Sequence, residues 1–307
     1  MPHKNRMDYF SGSGRAELNF GDLDLNYRLK TRAFIDICMP PMFTGLERRF
    51  PMLALRKVGI APIMYYVDLQ AGAAPLAFGW DVRSSFSVSI QRAMRGSAAE
   101  GGSRLFLDMR STLQAHLGSG SAAALGFEKE KGALTEVGSC QVVQVITRPL
   151  APPGERAVTE LPEELGEFNL LEWDAPYPNI ALMHEAPGGY RQAVVEAAPR
   201  FDAIWGLCNT DINQHVNVHE YIMAAENHFN RLAHLEGLPL ERHRIRRIQM
   251  VFRQPFFPGQ AYGVDGRLWL NGAESMFTGG VYAIGADGGW ASAPNVATRC
   301  EGELMAE

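Results

Sequence analysis

The stretch Trp205-Gly206-Leu207-Cys208-Asn209-Thr210-Asp211-Ile212-Asn213-Gln214-His215-Val216-Asn217-Val218-His219-Glu220-Tyr221 decides how this chain is read. From Asn209 to Asn217, every side chain except Ile212 and Val216 can hydrogen-bond or handle a proton. Directly behind it the pattern becomes helical. Val218, Tyr221, Ile222, Ala225, Phe229 and Leu232 stand at offsets of 3, 4, 7, 11 and 14 from the first, the stripe of a helix with one buried face. A helix is predicted from about Val218 to Leu235, with Asn217 as its N-cap and Gly237 and Pro239 ending it. The polar loop is therefore fixed to a core element, the setting a precise site needs.

The chemistry of this arrangement suits acyl transfer. A helix N-terminus offers free N–H groups and the positive end of the helix dipole. These can polarise a thioester carbonyl and stabilise an oxyanion. A nearby carboxylate can activate water or attack the carbonyl itself. Asp211 is the first candidate for that carboxylate. Glu226, about two turns into the helix at the edge of the buried stripe, is the second. His215 and Asn213 can orient water or the carbonyl.

The pattern Asp-x-Asn-x-His-Val-Asn-x-x-x-Tyr, with a Glu five residues past the Tyr, resembles the signature of hotdog-fold acyl thioesterases. It is most similar to the acyl-ACP thioesterases, which carry two hotdog units in one chain, and to the 4-hydroxybenzoyl-CoA thioesterase group. The stretch Ile248-Gln249-Met250-Val251-Phe252-Arg253-Gln254-Pro255, then Phe257-Pro258-Gly259-Gln260, is similar to that family's strand ending in a turn with Pro and Gly. The resemblance covers residues 190–285 well and residues 25–150 by layout. It implies an α+β fold, a tandem (double) hotdog in which each unit is a long helix wrapped by a curved antiparallel sheet. It also implies that paired units form sites where they meet.

Carried over residue by residue, the resemblance implies that Asp211, Asn213 and His215 are catalytic, with Glu226 as a participant. Asn217, Tyr221, Gln254 and Arg246 are the candidate substrate-binding residues. The activity implied is hydrolysis of an acyl-ACP or acyl-CoA to a free acid and a thiol, in fatty-acid or polyketide metabolism. The partner is then an acyl carrier protein or coenzyme A thioester, and no metal or other cofactor is required. Two departures stand out. A second Asn often follows His-Val-Asn, where this chain has Val218, and the strand residue that is often a carboxylate is Gln254. They motivate a second reading, dehydration, hydration or cyclisation of a carrier-bound acyl group, since fold does not fix function. A third is a non-catalytic acyl-binding protein.

Outward from the motif, the two halves repeat one plan. In the C-terminal half, Tyr190 to Glu196 reads as a strand, and further strands are predicted over Arg247–Gln254, Gln260–Leu270 and Ser275–Ile284. In the N-terminal half, Asn26 to Ile35 alternates like a strand, Pro40-Pro41 breaks it, and a helix follows over Phe43–Val58. Pro51 predicts a break in that helix and Gly59 its stop. Strands are predicted over Ile63–Leu69, Asp81–Ala93 and Arg104–Ala115, with a flexible loop at residues 96–103. The first 20 residues read as a loose arm, Leu117–Gly126 as a Gly/Ala/Ser-rich connection and Pro149–Pro162 as an exposed linker. The units are placed at residues 22–150, without a catalytic motif, and 185–305, with it. The N-terminal counterpart of the motif, Ile37 to Thr44, holds no acid, base or His, so one active site per chain is expected. Met39, Met42 and Phe43 of that stretch then serve an acyl pocket or ordinary core.

Composition narrows the partners. The 307 residues are 46% hydrophobic and 21% charged, enough apolar side chain for a sizeable core. The net charge of −5 argues against nucleic acid or an anionic membrane surface as partner. No apolar run approaches the ~18 residues of a spanning helix, and residues 1–13 lack the apolar core of a secretory signal. Cys38, Cys140, Cys208 and Cys300 are widely spaced and make no CxxC pair, which fits a reducing, cytoplasmic setting. His219, His228 and His234 lack the company a zinc site needs. Arg242, Arg244, Arg246 and Arg247, with His243, form a basic cluster, read as a solvated face or as a docking patch for the phosphates of a carrier. Fused units can satisfy their pairing internally, so monomer or homodimer is expected.

Overall fold

The computed structural model describes residues 10–77, 81–94, 103–118, 133–163, 171–172, 180–193, 201–211 and 214–305. The chain divides into two compact units. One comprises residues 1–19, 34–66 and 76–177, the other residues 20–33, 67–75 and 178–307. The division is discontinuous in sequence, so the second unit takes two short segments from the N-terminal half.

In the first unit, strands run in the order β1 (Phe10–Glu17), β3 (Asp81–Met94), β4 (Ser103–His116), β5 (Leu134–Thr147) and the first part of β2 (Ala61–Ala71), the pairs from β1 to β5 being antiparallel. A two-residue strand, β6 (Leu171–Glu172), adds to β3 in parallel. Helix α1 (Ala33–Arg49) buries Phe34, Cys38, Met42 and Leu46, a strict four-residue spacing that keeps one face inward. It lies close on the sheet: the Phe86 ring leaves no room for a Cβ at Gly45 of the helix or at Gly12 of β1.

Several sequence expectations are corrected here. The first of these concerns the arm, because residues 10–17 pair with β3 along their whole length; residues 1–9 lie outside the described residues. The strand over residues 26–35 does not form. Asp24 Oδ1 accepts the N–H groups of Asn26 (2.8 Å) and Arg28 (2.9 Å), closing a turn in which Tyr27 adopts φ +59°. That local side-chain bonding outcompetes the ladder suggested by the alternation. Pro40 and Pro41 lie inside α1, which begins at Ala33, ahead of the helix expected from Phe43, instead of breaking a strand. Burial of Met42 and Leu46 beyond them offsets the ~3 kcal/mol an interior proline costs. Pro51 does break the helix, with α2 (Met52–Lys57) following it and Gly59 leaving at φ +74°. The supposed linker packs as well: Thr147 bridges Ala157, and Val158 is buried and accepts the N–H of Leu105. The expected loop at residues 96–103, up to Ser103 where β4 begins, and most of Leu117–Gly126 lie outside the described residues.

In the second unit, the end of β2 borders β9 (His243–Phe252), followed by β12 (Val296–Leu304), β11 (Glu274–Ile284), β10 (Ala261–Asn271) and the short β7 (Arg191–Gln192). β8 (Phe201–Ile204) also pairs with β10. Only Arg191–Gln192 of the strand expected over residues 190–196 forms among the described residues; β5, β8 and β12 were not anticipated. A short helix, α3 (Ile180–His184), contacts β9, β11 and β12. Helix α4 (Val218–Leu235) has the expected bounds and packs on β10, β11 and β12. Tyr221, Ile222, Ala225, Phe229 and Leu232 are buried, with His228 and Ala233 beside them. Phe229 stacks on Phe277 of β11 at 6.1 Å between ring centres. This packing fixes the N-terminal end of α4, where the polar loop joins it.

Candidate active site

The loop is a tight turn built by its own backbone. Thr210 bridges Val216, the Asp211 N–H donates to the His215 carbonyl (2.9 Å), and the Gln214 N–H donates to the Asp211 carbonyl (3.0 Å). Gln214 sits at φ +63°, a left-handed conformation a non-glycine residue adopts at some cost. Asp211 and His215 thus rise from opposite ends of one short turn. Asp211 is exposed and His215 half-buried, its ring edge-on to Phe257 at 5.1 Å. Asn213 lies outside the described residues.

Three anchors hold the turn. Val216 N–H donates to the Phe256 carbonyl (3.0 Å), tying it to the segment after β9. Asn217 N–H donates to the Asn209 carbonyl (2.8 Å). Asn217 Oδ1 accepts the His219 N–H (3.0 Å), the N-cap bond expected of it. Beneath lies an aromatic platform. Trp205 stacks on Tyr262 at 3.7 Å and meets Tyr221 edge-on at 5.7 Å. The Tyr221 hydroxyl accepts the Phe256 N–H (3.1 Å). Burial, with the Asp211 charge adding to it, pushes the Tyr221 phenol up to about 12. Tyr221 is therefore neutral at physiological pH and supports the loop from the core.

Glu226 stands apart from this group. It is about 13 Å along the helix axis from Asn217. Its surroundings come from the N-terminal segment Lys30-Thr31-Arg32, which belongs to the same unit. Thr31 is buried, hydrogen-bonds the Glu226 carboxyl, and reaches the Ile245 carbonyl at 3.3 Å. That carbonyl lies at the β9–β12 bulge, where Glu301 pairs with Arg247 and Gly302 with Ile245. Desolvation raises Glu226 to about 7, against the opposing pull of Arg32 and Lys30. The Glu226 charge in turn adds to the burial that pushes the Cys300 thiol well up.

Gln254 is exposed, and its N–H donates to the Asn295 carbonyl (3.3 Å). Arg246 is engaged elsewhere, with Glu274 and Glu301 each at 3.3 Å. The other arginines of the basic cluster are similarly held. Arg247 forms a two-pronged pair with Asp68 (2.9 and 2.7 Å), Arg242 donates to the Met305 carbonyl, and buried Arg244 pairs with Glu303 and the carbonyls of Ala71 and Gly72. These arginines are ion-paired or hydrogen-bonded across neighbouring strands, Arg244 buried and Arg242, Arg246 and Arg247 half-buried. Among the described residues, no group of three or more His, Cys, Asp or Glu side chains is disposed to hold a metal ion.

Two residues in the loop region had no role assigned from sequence. Asn209 Oδ1 accepts the Gly206 N–H (2.9 Å), and its Nδ2 donates to Glu220 Oε2 (2.8 Å). The signal for Glu220 was present: an Asn three residues ahead of a Glu at a helix start is the pattern of a capping box. Its carboxylate turns to Asn209 instead. Nothing in the sequence points from Glu226 to Thr31, because the contact joins distant parts of the chain.

No protein-family model matches the chain, and no curated protein does. Solved structures do. A protein described as an oleoyl thioesterase from Lactobacillus plantarum matches with TM-score 0.63 and 12% identity, over 97% of this chain and 96% of that one. The 12:0-ACP thioesterase from Umbellularia californica gives TM-score 0.55 and 12% identity over 96% and 94%. An acyl-ACP thioesterase from Bacteroides thetaiotaomicron gives 0.52 and 16% over 96% and 98%. The chain shares the hotdog fold of these proteins.

Proposed function

We propose that this protein hydrolyses an acyl thioester, with the loop before α4 as its reaction site. The observation that carries the reading is the placing of Asp211 and His215 on one tight turn at the N-terminus of a buried helix. Asp211, exposed on the turn, serves as general base or nucleophile. His215 and Asn213 orient the water and the carbonyl. Asn217 occupies the N–H groups of His219 and Glu220, so the Val218 N–H is the first the helix can offer to the developing oxyanion. Tyr221 supports the loop, and Gln254 is a candidate contact for the leaving thiol arm.

The substrate is an acyl chain on an acyl carrier protein, by analogy with the named activities of two similar structures, or on coenzyme A, the other carrier that the motif's resemblance implies. Their near-complete coverage supports reading the chain as two tandem hotdog units; we place these at residues 22–150 and 185–305 and assign the first to the acyl chain. Four free cysteines fit a cytoplasmic setting. The reading is tested by release of free thiol from acyl-ACP and acyl-CoA panels of varied chain length. Turnover lost in D211A supports it; no turnover above D211A on any thioester refutes it.

A second reading, addition or removal of water on the acyl group, draws on Gln254, which supplies no second charge at that strand end. Mass spectrometry separates the two. A change of 18 mass units with the thioester intact favours the second, using the mass of water as its marker.

A further inference from the structure

We propose that Asn209 and Glu220 form a positioning pair that sets where the Asp211–His215 turn stands against the N-terminus of α4, a proposal that rests on the reading of this loop as the reaction site. Asn209 uses three of its polar groups, and its Oδ1 also meets the neighbouring Cys208 thiol at 3.7 Å. Its carbonyl takes the Asn217 N–H at the helix cap (2.8 Å), its Oδ1 takes the Gly206 N–H at the loop entry (2.9 Å), and its Nδ2 donates to Glu220 Oε2 in the first turn of α4 (2.8 Å). One residue thus ties together where the loop begins, where it ends and the helix it must face.

The chemistry of the side chain is dictated at both ends. A backbone N–H needs an acceptor and a carboxylate needs a donor, so an amide fits where aspartate, leucine or serine do not. Glu220 is itself favoured in the first turn by the helix dipole. The turn needs such outside fixing, because Gln214 holds a left-handed conformation that a free loop relaxes out of. Neither residue is placed to touch the reacting atoms; both act through the turn. Small displacements of a reacting group cost rate steeply, so the effect is expected in kcat.

The test compares N209D, E220Q and the double variant N209D/E220Q in the full chain. E220Q keeps an acceptor for the Asn209 amide and is expected within about threefold of the parent in kcat. N209D faces one carboxylate with another and is expected to lower kcat on the order of 10- to 100-fold with KM little changed. In the double variant the new glutamine amide donates to the new aspartate, and kcat returns to within about threefold of the parent. A second readout needs no turnover. Cys208 is exposed while Cys38, Cys140 and Cys300 are buried, so a fluorophore on Cys208 reports the order of the adjoining loop. Its anisotropy is expected to fall in N209D and recover in the double variant. Parental kcat and anisotropy in N209D overturn the proposal. So does a double variant as impaired as N209D, or a loss of kcat that follows only a lowered thermal midpoint with anisotropy unchanged. If the parent chain cleaves no thioester, the hydrolytic reading fails by itself, and the anisotropy series still decides whether the pair positions the turn.

Discussion

Asp211 and Glu226 are both acidic, yet their surroundings set them different tasks. Asp211, the base or nucleophile we propose, is exposed on a turn, so D211N leaves the core untouched. The expected result is a loss of at least about 100-fold in kcat with the thermal midpoint nearly unchanged, checked by kinetics beside calorimetry. Glu226 lies among Thr31, Lys30, Arg32 and Cys300, and its pKa of about 7 exceeds the ordinary 4.5. A carboxyl that holds its proton more tightly in the folded chain costs stability as it ionises. That cost is absent below about pH 4.5, grows as pH rises through about 7 and is constant above. The shift corresponds to about 3 kcal/mol before solvent screening reduces it. E226Q is therefore expected to raise the thermal midpoint relative to the parent at pH 8, with the difference vanishing near pH 4. A pH-independent difference would contradict this. The sequence made both carboxylates visible as candidates. It did not show that they stand apart, because the partners of Glu226 come from residues 30–32, beyond any local pattern.

Helix α4 was the most legible element, and the reason is physical. Its apolar stripe, its Asn217 cap and its Gly237 exit are all local signals that agree with the tertiary packing. N217A is expected to cost about 1 kcal/mol through the lost cap, read from chemical denaturation. F229A, which opens space between Phe277 and His243, is expected to cost about 3–5 kcal/mol. Equal, small effects from both would mean that α4 is not packed as described. Helix α1 was misread for the converse reason. Its two prolines argue locally for a break, and only the continuous buried spacing from Phe34 to Leu46 overrides them. In the same way, β1 looks like a polar arm because its interior side is made of Gly12 and Gly14, whose missing side chains admit Phe86 and Pro41.

At the level of the whole molecule, the chain forms two compact units, and the second takes residues 20–33 and 67–75 from the N-terminal half, which no local sequence pattern assigns to it. Leu23, Leu29 and Thr31 are buried in the second unit, and Asp68 of β2 holds Arg247 there. Residues 178–307 expressed alone therefore lack part of their core and are expected to show no cooperative unfolding; a midpoint matching the full chain would refute this. Acid should weaken the same unit. Burial holds His228 and His243 down at about 4, below the ordinary 6.5, so both stay neutral in the folded chain. Groups with depressed pKa values contribute stability that is complete above pH 6.5 and is lost as pH falls toward 4. The most direct test of the central claim is free-thiol release by the full chain from acyl-ACP and acyl-CoA thioesters, run beside D211N. The expected result is turnover on at least one acyl chain that D211N abolishes. Equal release by parent and D211N, or none on any thioester, would contradict it.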